Sequence, residues 1–257
     1  MDLPPNKFKR AIQSGKLQIG LWSMLASHVT VEVIAGAGFD WIVLDTEHAP
    51  NELPMVYSQL QATNGGTAHP VVRVPWNDMV TIKRYLDIGA QSLLIPCVET
   101  EEEARNAVAS TRYPPEGKRG YAAASRASAF GRIGNYARDC QRELCLLLQV
   151  ETKRALENLE AIAQVEGVDG VFIGPGDLSA DLGHVGDSKN PEVQNVIEDS
   201  IRRILACGKP AGILTPDEEL ARRYIGLGCV FTAVGSDIGI LARVTEQLAA
   251  RFKDQPQ

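Results

Sequence analysis

The sequence predicts an α/β fold, a single-domain (β/α)8 TIM barrel. Three observations predict it. Eight short Val/Ile/Leu-rich runs alternate with longer amphipathic segments along 257 residues. The runs are nearly continuous in apolar character, as parallel strands buried on both faces require. Most begin about 20–30 residues after the one before, the length of a strand plus its returning helix, and eight such units fill a barrel.

The predicted strands are Gln18–Trp22, Asp40–Asp45, Pro70–Val74, Gln91–Pro96, Leu144–Val150, Asp169–Ile173, Lys209–Leu214 and Cys229–Val234. The predicted helices are Val29–Ala37, Glu52–Ala62, Asp78–Ile88, Glu101–Thr111, Lys153–Val165, Pro191–Cys207, Asp217–Gly226 and Asp237–Phe252. Glycine follows several of them, at Gly38 and Gly89 for example, where a helix C-terminus favours it. The interval from Ile95 to Leu144 is long. Beyond its helix it reads as an extended loop holding Arg119, Tyr121 and an Ala/Ser/Arg tract to Arg132. A doubly wound open sheet is the alternative architecture, but neither GxGxxG nor GxxxxGK is present. No linker divides the chain, so residues 1–257 read as one domain, and Lys253–Gln257 reads as disordered.

Composition narrows the function classes. Hydrophobic residues are 44% and charged residues 23%, ordinary for a soluble globular protein. Acids outnumber bases 32 to 26, a net charge of −6, which argues against general affinity for nucleic acid or anionic membrane. No apolar run is long enough to span a bilayer. Met1–Leu17 is charged throughout and lacks a signal-peptide core. The five cysteines are odd in number and form no CxxC pair, which predicts free thiols and a cytoplasmic protein.

Polar residues gather at the C-terminal ends of the predicted strands, the end where such barrels carry their sites. Asp45-Thr46-Glu47-His48 follows the second strand and Arg73 lies near the end of the third. Gln149 and Glu151 close the fifth, Gly174-Pro175-Gly176-Asp177 follows the sixth, and Leu214-Thr215 ends the seventh. Glu151 and Asp177 end adjacent strands, close enough for both carboxylates to reach one Mg²⁺ or Mn²⁺. Alternatively they are solvated loop acids, with Asp177 an N-cap. His48 reads as a general base oriented by Asp45, with Asp87 a second supporting acid, or as a satisfied loop histidine. Arg73 sits in an apolar run, and a buried cation needs a partner. It reads as a clamp on a carboxylate or enolate oxygen, as an ion pair with Asp87 or Glu47, or as both. His28, His69 and His184 lack such company and read as surface or structural. Lys209 opens its strand and Lys153 lies on an outgoing helix, so no lysine is placed for a Schiff base. There is no GxSxG elbow.

Four segments carry a resemblance: Phe39–Asn51, Pro70–Val74, Arg112–Gly120 and Gly167–Ser179. Together they resemble the class II pyruvate aldolases of the HpcH/HpaI type, a family that includes 4-hydroxy-2-oxoheptanedioate and 2-keto-3-deoxy-sugar-acid aldolases. The similarity runs from about Gln18 to Phe252. It implies that Glu151 and Asp177 ligate a divalent metal (Mg²⁺, Mn²⁺ or Co²⁺) and that His48 is the base, with Asp45 and Asp87 raising its basicity. It implies that Arg73 stabilises the pyruvate enolate. Gln149 and the backbone of Gly174, Pro175 and Gly176 would contact the keto acid, Trp22 would form a wall, and Leu214 would line the aldehyde side. It also implies a hexamer of dimers that exchange the last helix, here Asp237–Phe252, and a place in aromatic or sugar-acid breakdown.

Three positions depart from the family pattern. Thr46 stands where glycine is common, Gly176 where alanine is common, and Gly120–Ser125 differs from the usual glycine-valine-glycine run. The expected reaction is reversible cleavage of a 4-hydroxy-2-oxo acid to pyruvate, or a related 2-oxo acid, and an aldehyde. His48, through a water, would take the 4-hydroxyl proton while Arg73 holds the enolate oxygen. One rival is a citrate-lyase or malyl-CoA-lyase type enzyme acting on a thioester, for which Arg119, Arg126 and Arg132 would supply a basic groove. A non-catalytic keto-acid-binding barrel is another.

Overall fold

The computed structural model describes residues 1–253, and its eight strands close into a parallel barrel in the order β1 to β8. The strands are β1 (Gln18–Ser23), β2 (Trp41–Asp45), β3 (His69–Arg73), β4 (Ser92–Ile95), β5 (Cys145–Val150), β6 (Gly170–Ile173), β7 (Ala211–Leu214) and β8 (Phe231–Ser236). Each predicted strand is present, displaced by two residues or fewer at either end. The helices are α1 (Lys7–Gln13), α2 (His28–Ala35), α3 (Leu53–Ala62), α4 (Met79–Asp87), α5 (Glu101–Thr111), α6 (Tyr136–Glu143), α7 (Lys153–Glu157), α8 (Leu159–Gln164), α9 (Pro175–Asp181), α10 (Pro191–Ala206), α11 (Glu218–Leu227) and α12 (Asp237–Lys253).

Local chemistry sets the helix starts. The side chains of Ser27, Asp78, Thr152 and Asp217 each accept a bond from a backbone N–H of the first turn. Thr100 and Glu103 form a reciprocal capping box that begins α5 where the sequence predicts it.

Strand periodicity decides what faces the barrel axis. Trp41 and Val43 of β2 pack inward with Val71 of β3, Leu147 of β5, Phe172 of β6 and Phe231 of β8, whereas Ile42, Leu44 and Val72 face the helices. Continuing the inward series brings Asp45, Arg73 and Gln149 to the axis at the C-terminal end. Gly20 and Gly212 leave the space that the Trp41 and Phe231 rings occupy, and an added Cβ would collide with those rings.

Several elements differ from expectation. α1 lies in a segment that sequence reading left without structure. Its Phe8 and Ile12 enter the interior cluster, each buried at a gain of about 1.5–3 kcal/mol. Asn6 fixes it, accepting from Lys9 N–H and donating to Ser92 Oγ (2.9 Å) and the Glu143 carbonyl (3.0 Å). The long interval before β5 contains α6, whose Tyr136 and Cys140 pack with Tyr113 and Ile133. Lys153–Val165 is two helices, α7 and α8, broken at Asn158. Gly174–Asp177 is not a free loop: Pro175 opens α9. Lys253 belongs to α12, and the rest of the segment read as disordered lies outside the described residues.

The cysteines are free, with Cys140, Cys145 and Cys229 buried. Among the described residues, no helix is long and apolar enough to cross a membrane.

Candidate active site

β2 and β3 pair in parallel with Asp45 opposite Arg73. The Arg73 guanidinium donates from Nε to Asp45 Oδ1 (2.9 Å) and from Nη2 to Oδ2 (2.6 Å). Its Nη1 lies 2.8 Å from Glu47 Oε2, and its plane covers the Trp22 ring at 5.1 Å. Trp22 Nε1 donates to Asp45 Oδ2 at 3.3 Å. Asp45 Oδ1 also accepts the backbone N–H groups of Glu47 (3.0 Å) and His48 (3.4 Å). One buried carboxylate thus holds the arginine and curls the loop that presents Glu47 and His48.

Asp45 therefore plays a different part from the one expected. Its oxygens bind Arg73, Trp22 and loop amides, and the His48 imidazole turns elsewhere. His48 Nε2 lies 4.0 Å from both Glu47 and Asp177. Asp87 lies elsewhere within the chain. It ends α4, which runs back toward the N-terminal end of the barrel, and it accepts from Arg119 Nη2 at 2.7 Å. Within the chain it is not brought to His48.

β5 carries Gln149 and, one residue beyond its end, Glu151, both almost fully buried. Glu151 Oε1 accepts the Cys97 N–H at 2.8 Å, and Oε2 accepts from Gln149 Nε2. The other amide atom, Gln149 Oε1, is buried without a partner. Gly174 follows β6 against this carboxylate, and a Cβ there would lie 2.5 Å from Glu151 Oε2. Asp177 lies on the first turn of α9, exposed, and its charge helps to raise the Glu151 carboxyl. Leu214, at the end of β7, is half-buried against the interior cluster.

Glu47, Cys97 and Glu151 each offer a ligand atom within 4.8 Å of the others. Burial pushes the Glu47 carboxyl up to about 7, against the pull of Arg73. Burial also raises Glu151, opposed by its bonds from Gln149 and Cys97. The Cys97 thiol is pushed up to about 12 by burial and by the two glutamates, so it is protonated near neutral pH. Two carboxylates without enough counter-charge, an orphaned amide oxygen and a third acid beside them suit a hard divalent cation.

Sequence reading took Glu47 only as an ion-pair partner and missed Cys97. Both lie just beyond strand ends, so the rule that flagged Asp45 and Glu151 applies to them equally. Cys97 has a positive φ of 56°, a conformation that a lone sequence does not announce. Asp237 was also passed over. It accepts from Ser23 Oγ (3.0 Å) and Met24 N–H (2.8 Å), tying the start of α12 to the loop after β1.

The three arginines of the thioester alternative do not flank this site. Arg119 is fully buried against Asp87, Tyr113 and Tyr136. Arg126 reaches the Ile88 carbonyl, and Arg126 and Arg132 both line a cavity at the other end of the barrel.

Comparison with known proteins shows the family. The family model described as HpcH/HpaI aldolase/citrate lyase matches residues 18–243. A pyruvate aldolase of Rhizobium etli is 58% identical over 98% of this chain and 99% of its own length. A 4-hydroxy-2-oxo-heptane-1,7-dioate aldolase of Klebsiella pneumoniae is 54% identical over 96% of this chain and 94% of its own. The crystal structure of an HpcH/HpaI aldolase/citrate lyase family protein from Burkholderia cenocepacia superposes with a TM-score of 0.93 at 37% identity, covering 97% of this chain and all of that one.

Proposed function

This chain belongs to the HpcH/HpaI aldolase/citrate lyase family and is an aldolase, a carbon–carbon lyase, and we propose that it cleaves 4-hydroxy-2-oxo acids to pyruvate and an aldehyde with a divalent cation. One observation carries the reading: a guanidinium that donates two bonds to Asp45 stands beside the half-buried Glu47 and the buried Glu151 at the C-terminal strand ends.

Glu151 and Asp177 would hold the cation, with Glu47 adding negative charge from the Arg73 side. Mg²⁺, Mn²⁺ and Co²⁺ all suit these oxygen donors. Once bound, the cation supplies Lewis acidity that lowers the energy of an enolate. Arg73 donates two of its five N–H groups to Asp45 and faces Glu47 as an ion pair through Nη1, which leaves donors for the oxygen that becomes the enolate. Gln149 and the backbone of Gly174–Gly176 orient the keto acid, and Trp22 walls the pocket. His48, half-exposed at the mouth, takes the 4-hydroxyl proton during cleavage and returns it during condensation. Leu214 lines the aldehyde side. The thioester alternative is weakened because its basic residues lie away from this mouth.

We also assign a hexamer in which α12 packs on neighbouring subunits. Ile240, Leu241, Val244, Leu248 and Phe252 of that helix are all exposed in the isolated chain, a surface that association would cover.

Pyruvate release from 4-hydroxy-2-oxoheptanedioate, followed with lactate dehydrogenase and NADH, tests the activity. Turnover that needs added Mn²⁺ and stops with chelator supports it. No pyruvate from this substrate or from a 2-keto-3-deoxy-sugar acid contradicts it.

A further inference from the structure

A cavity of about 680 Å³ lies at the N-terminal end of the barrel, opposite the catalytic face. Its walls come from the segment before α1, the starts of β2 and β3, and the stretch from Arg126 to Tyr136. The volume falls in the range of small-molecule sites, roughly 300–1,000 Å³.

Charge distinguishes it. Lys7, Lys16, Arg126 and Arg132 line it, and Asp40 is the one acid among its described lining residues. Asp40 is already engaged, accepting the Ile19 N–H at 2.8 Å. None of the four cations has a carboxylate within 4.0 Å among the described residues, in a chain of net charge −6. Elsewhere Arg203, half-buried, pairs with Glu160, and Arg119, fully buried, pairs with Asp87.

Arg126 is the clearest case. It is half-buried, stacks over Tyr57 and bonds only neutral carbonyls, those of Ile88 (2.7 Å) and Leu60 (3.3 Å). Burial lowers its pKa, as expected for a cation short of counter-charge. Beside these cations lie apolar surfaces, among them Phe8, Phe130 and Ile133. A cavity with a cationic rim and the exposed Phe130 ring beside it favours a ligand that is both anionic and flat.

We propose that this cavity binds an organic anion, a phosphate or carboxylate carried on a planar apolar body, separately from the catalytic substrate. The cationic rim recognises the anion, and the exposed Phe130 side takes the ring.

The test is calorimetric titration of the full chain with AMP and with 1-naphthoate, chelator being present so that no cation at the catalytic end can hold either. Adenosine is the uncharged control and inorganic phosphate the control without a ring. At least one anionic probe should bind, adenosine should not, and phosphate alone should bind more weakly. Affinity should fall with salt. Arg126→Gln should weaken binding about tenfold or more, the scale of a charged hydrogen bond. Arg126 ties the C-terminal ends of α3 and α4 and its variant could unfold, so the Lys7→Gln/Lys16→Gln double variant, changed only at exposed lysines, should also weaken binding. Catalytic turnover without the probes should be unchanged in the double variant. Three results would overturn the proposal: no binding of either anion, adenosine binding as tightly as AMP, or binding indifferent to the lysine changes. If no probe binds and the lysine variant alters the mass of the assembly, the cavity is a contact between copies and the proposal fails.

Discussion

Arg73 and Asp45 stand at the same register on neighbouring strands and are joined by two hydrogen bonds of 2.9 and 2.6 Å. Both are buried. Removing the acid leaves the cation with Glu47 alone and frees the backbone amides of Glu47 and His48. Asp45→Ala is expected to lower stability by about 3 kcal/mol, the scale of a broken buried pair, measured by urea unfolding. Stability within 0.5 kcal/mol of the parent would contradict this role for Asp45.

Arg73→Lys separates charge from geometry. Lysine keeps the charge but cannot form the paired bonds that fix the guanidinium. The expected result is a fall in kcat of about 10²-fold or more, the loss typical of one positioned oxyanion donor, with the chain still folded by circular dichroism.

His48→Ala is expected to lower kcat by about 10²–10⁴-fold while leaving Mn²⁺ affinity within a few-fold. Rate assays and a metal titration check both halves. Full activity in the variant would remove His48 from the mechanism.

Two buried groups give the metal-free protein opposed pH dependences. Glu47 titrates near 7 in the folded chain against an ordinary 4.5, so the folded state keeps a proton that the unfolded state releases. Its contribution to stability is lost as pH rises from about 4.5 to 7. His69 titrates near 4 against 6.5, so the unfolded state takes a proton that the folded state refuses. Its contribution is lost as pH falls from about 6.5 to 4. Chemical unfolding across this range, with chelator, should show Glu47→Gln gaining stability with pH more steeply than the parent. His69→Asn should change the slope in the opposite direction. The same proton on Glu47 competes with the cation, so metal affinity should rise with pH through about 7.

Two glycines only two residues apart should respond differently to alanine. At Gly174 the new Cβ would press on Glu151, and metal affinity should drop tenfold or more. At Gly176 it would meet no atom within 4 Å, so the chain should fold and bind metal as before. Any change at Gly176 should appear in aldehyde preference, measured as kcat/KM ratios across aldehydes.

The hexamer assignment rests on α12. Replacing Leu241 and Val244 together by aspartate should release smaller species in light scattering, because both are exposed apolar residues on that helix.

The barrel was legible because each strand is a dense apolar run, and the strand-end rule then brought Asp45, Arg73, Gln149 and Glu151 to one face. What stayed hidden was direction. Sequence proximity put Asp45 on the His48 ring, but the inward pleat of β2 aims it at Arg73. Asp87 closes α4, which carries it to the opposite end of the barrel. α1 escaped notice because only Phe8 and Ile12 of its seven residues are buried, too few to make a pattern. Cys97 reaches the acids through an unusual φ, and Glu47 looked like a mere counter-ion until its burial showed the carboxyl raised despite Arg73 beside it.

The most direct test of the central claim is exchange of pyruvate methyl protons with deuterated water, followed by NMR. It reports enolate formation without any choice of aldehyde. The account predicts exchange with Mn²⁺-loaded protein that is abolished by chelator and lost in Glu151→Gln. Pyruvate that keeps its protons in the presence of folded, metal-loaded protein would contradict it.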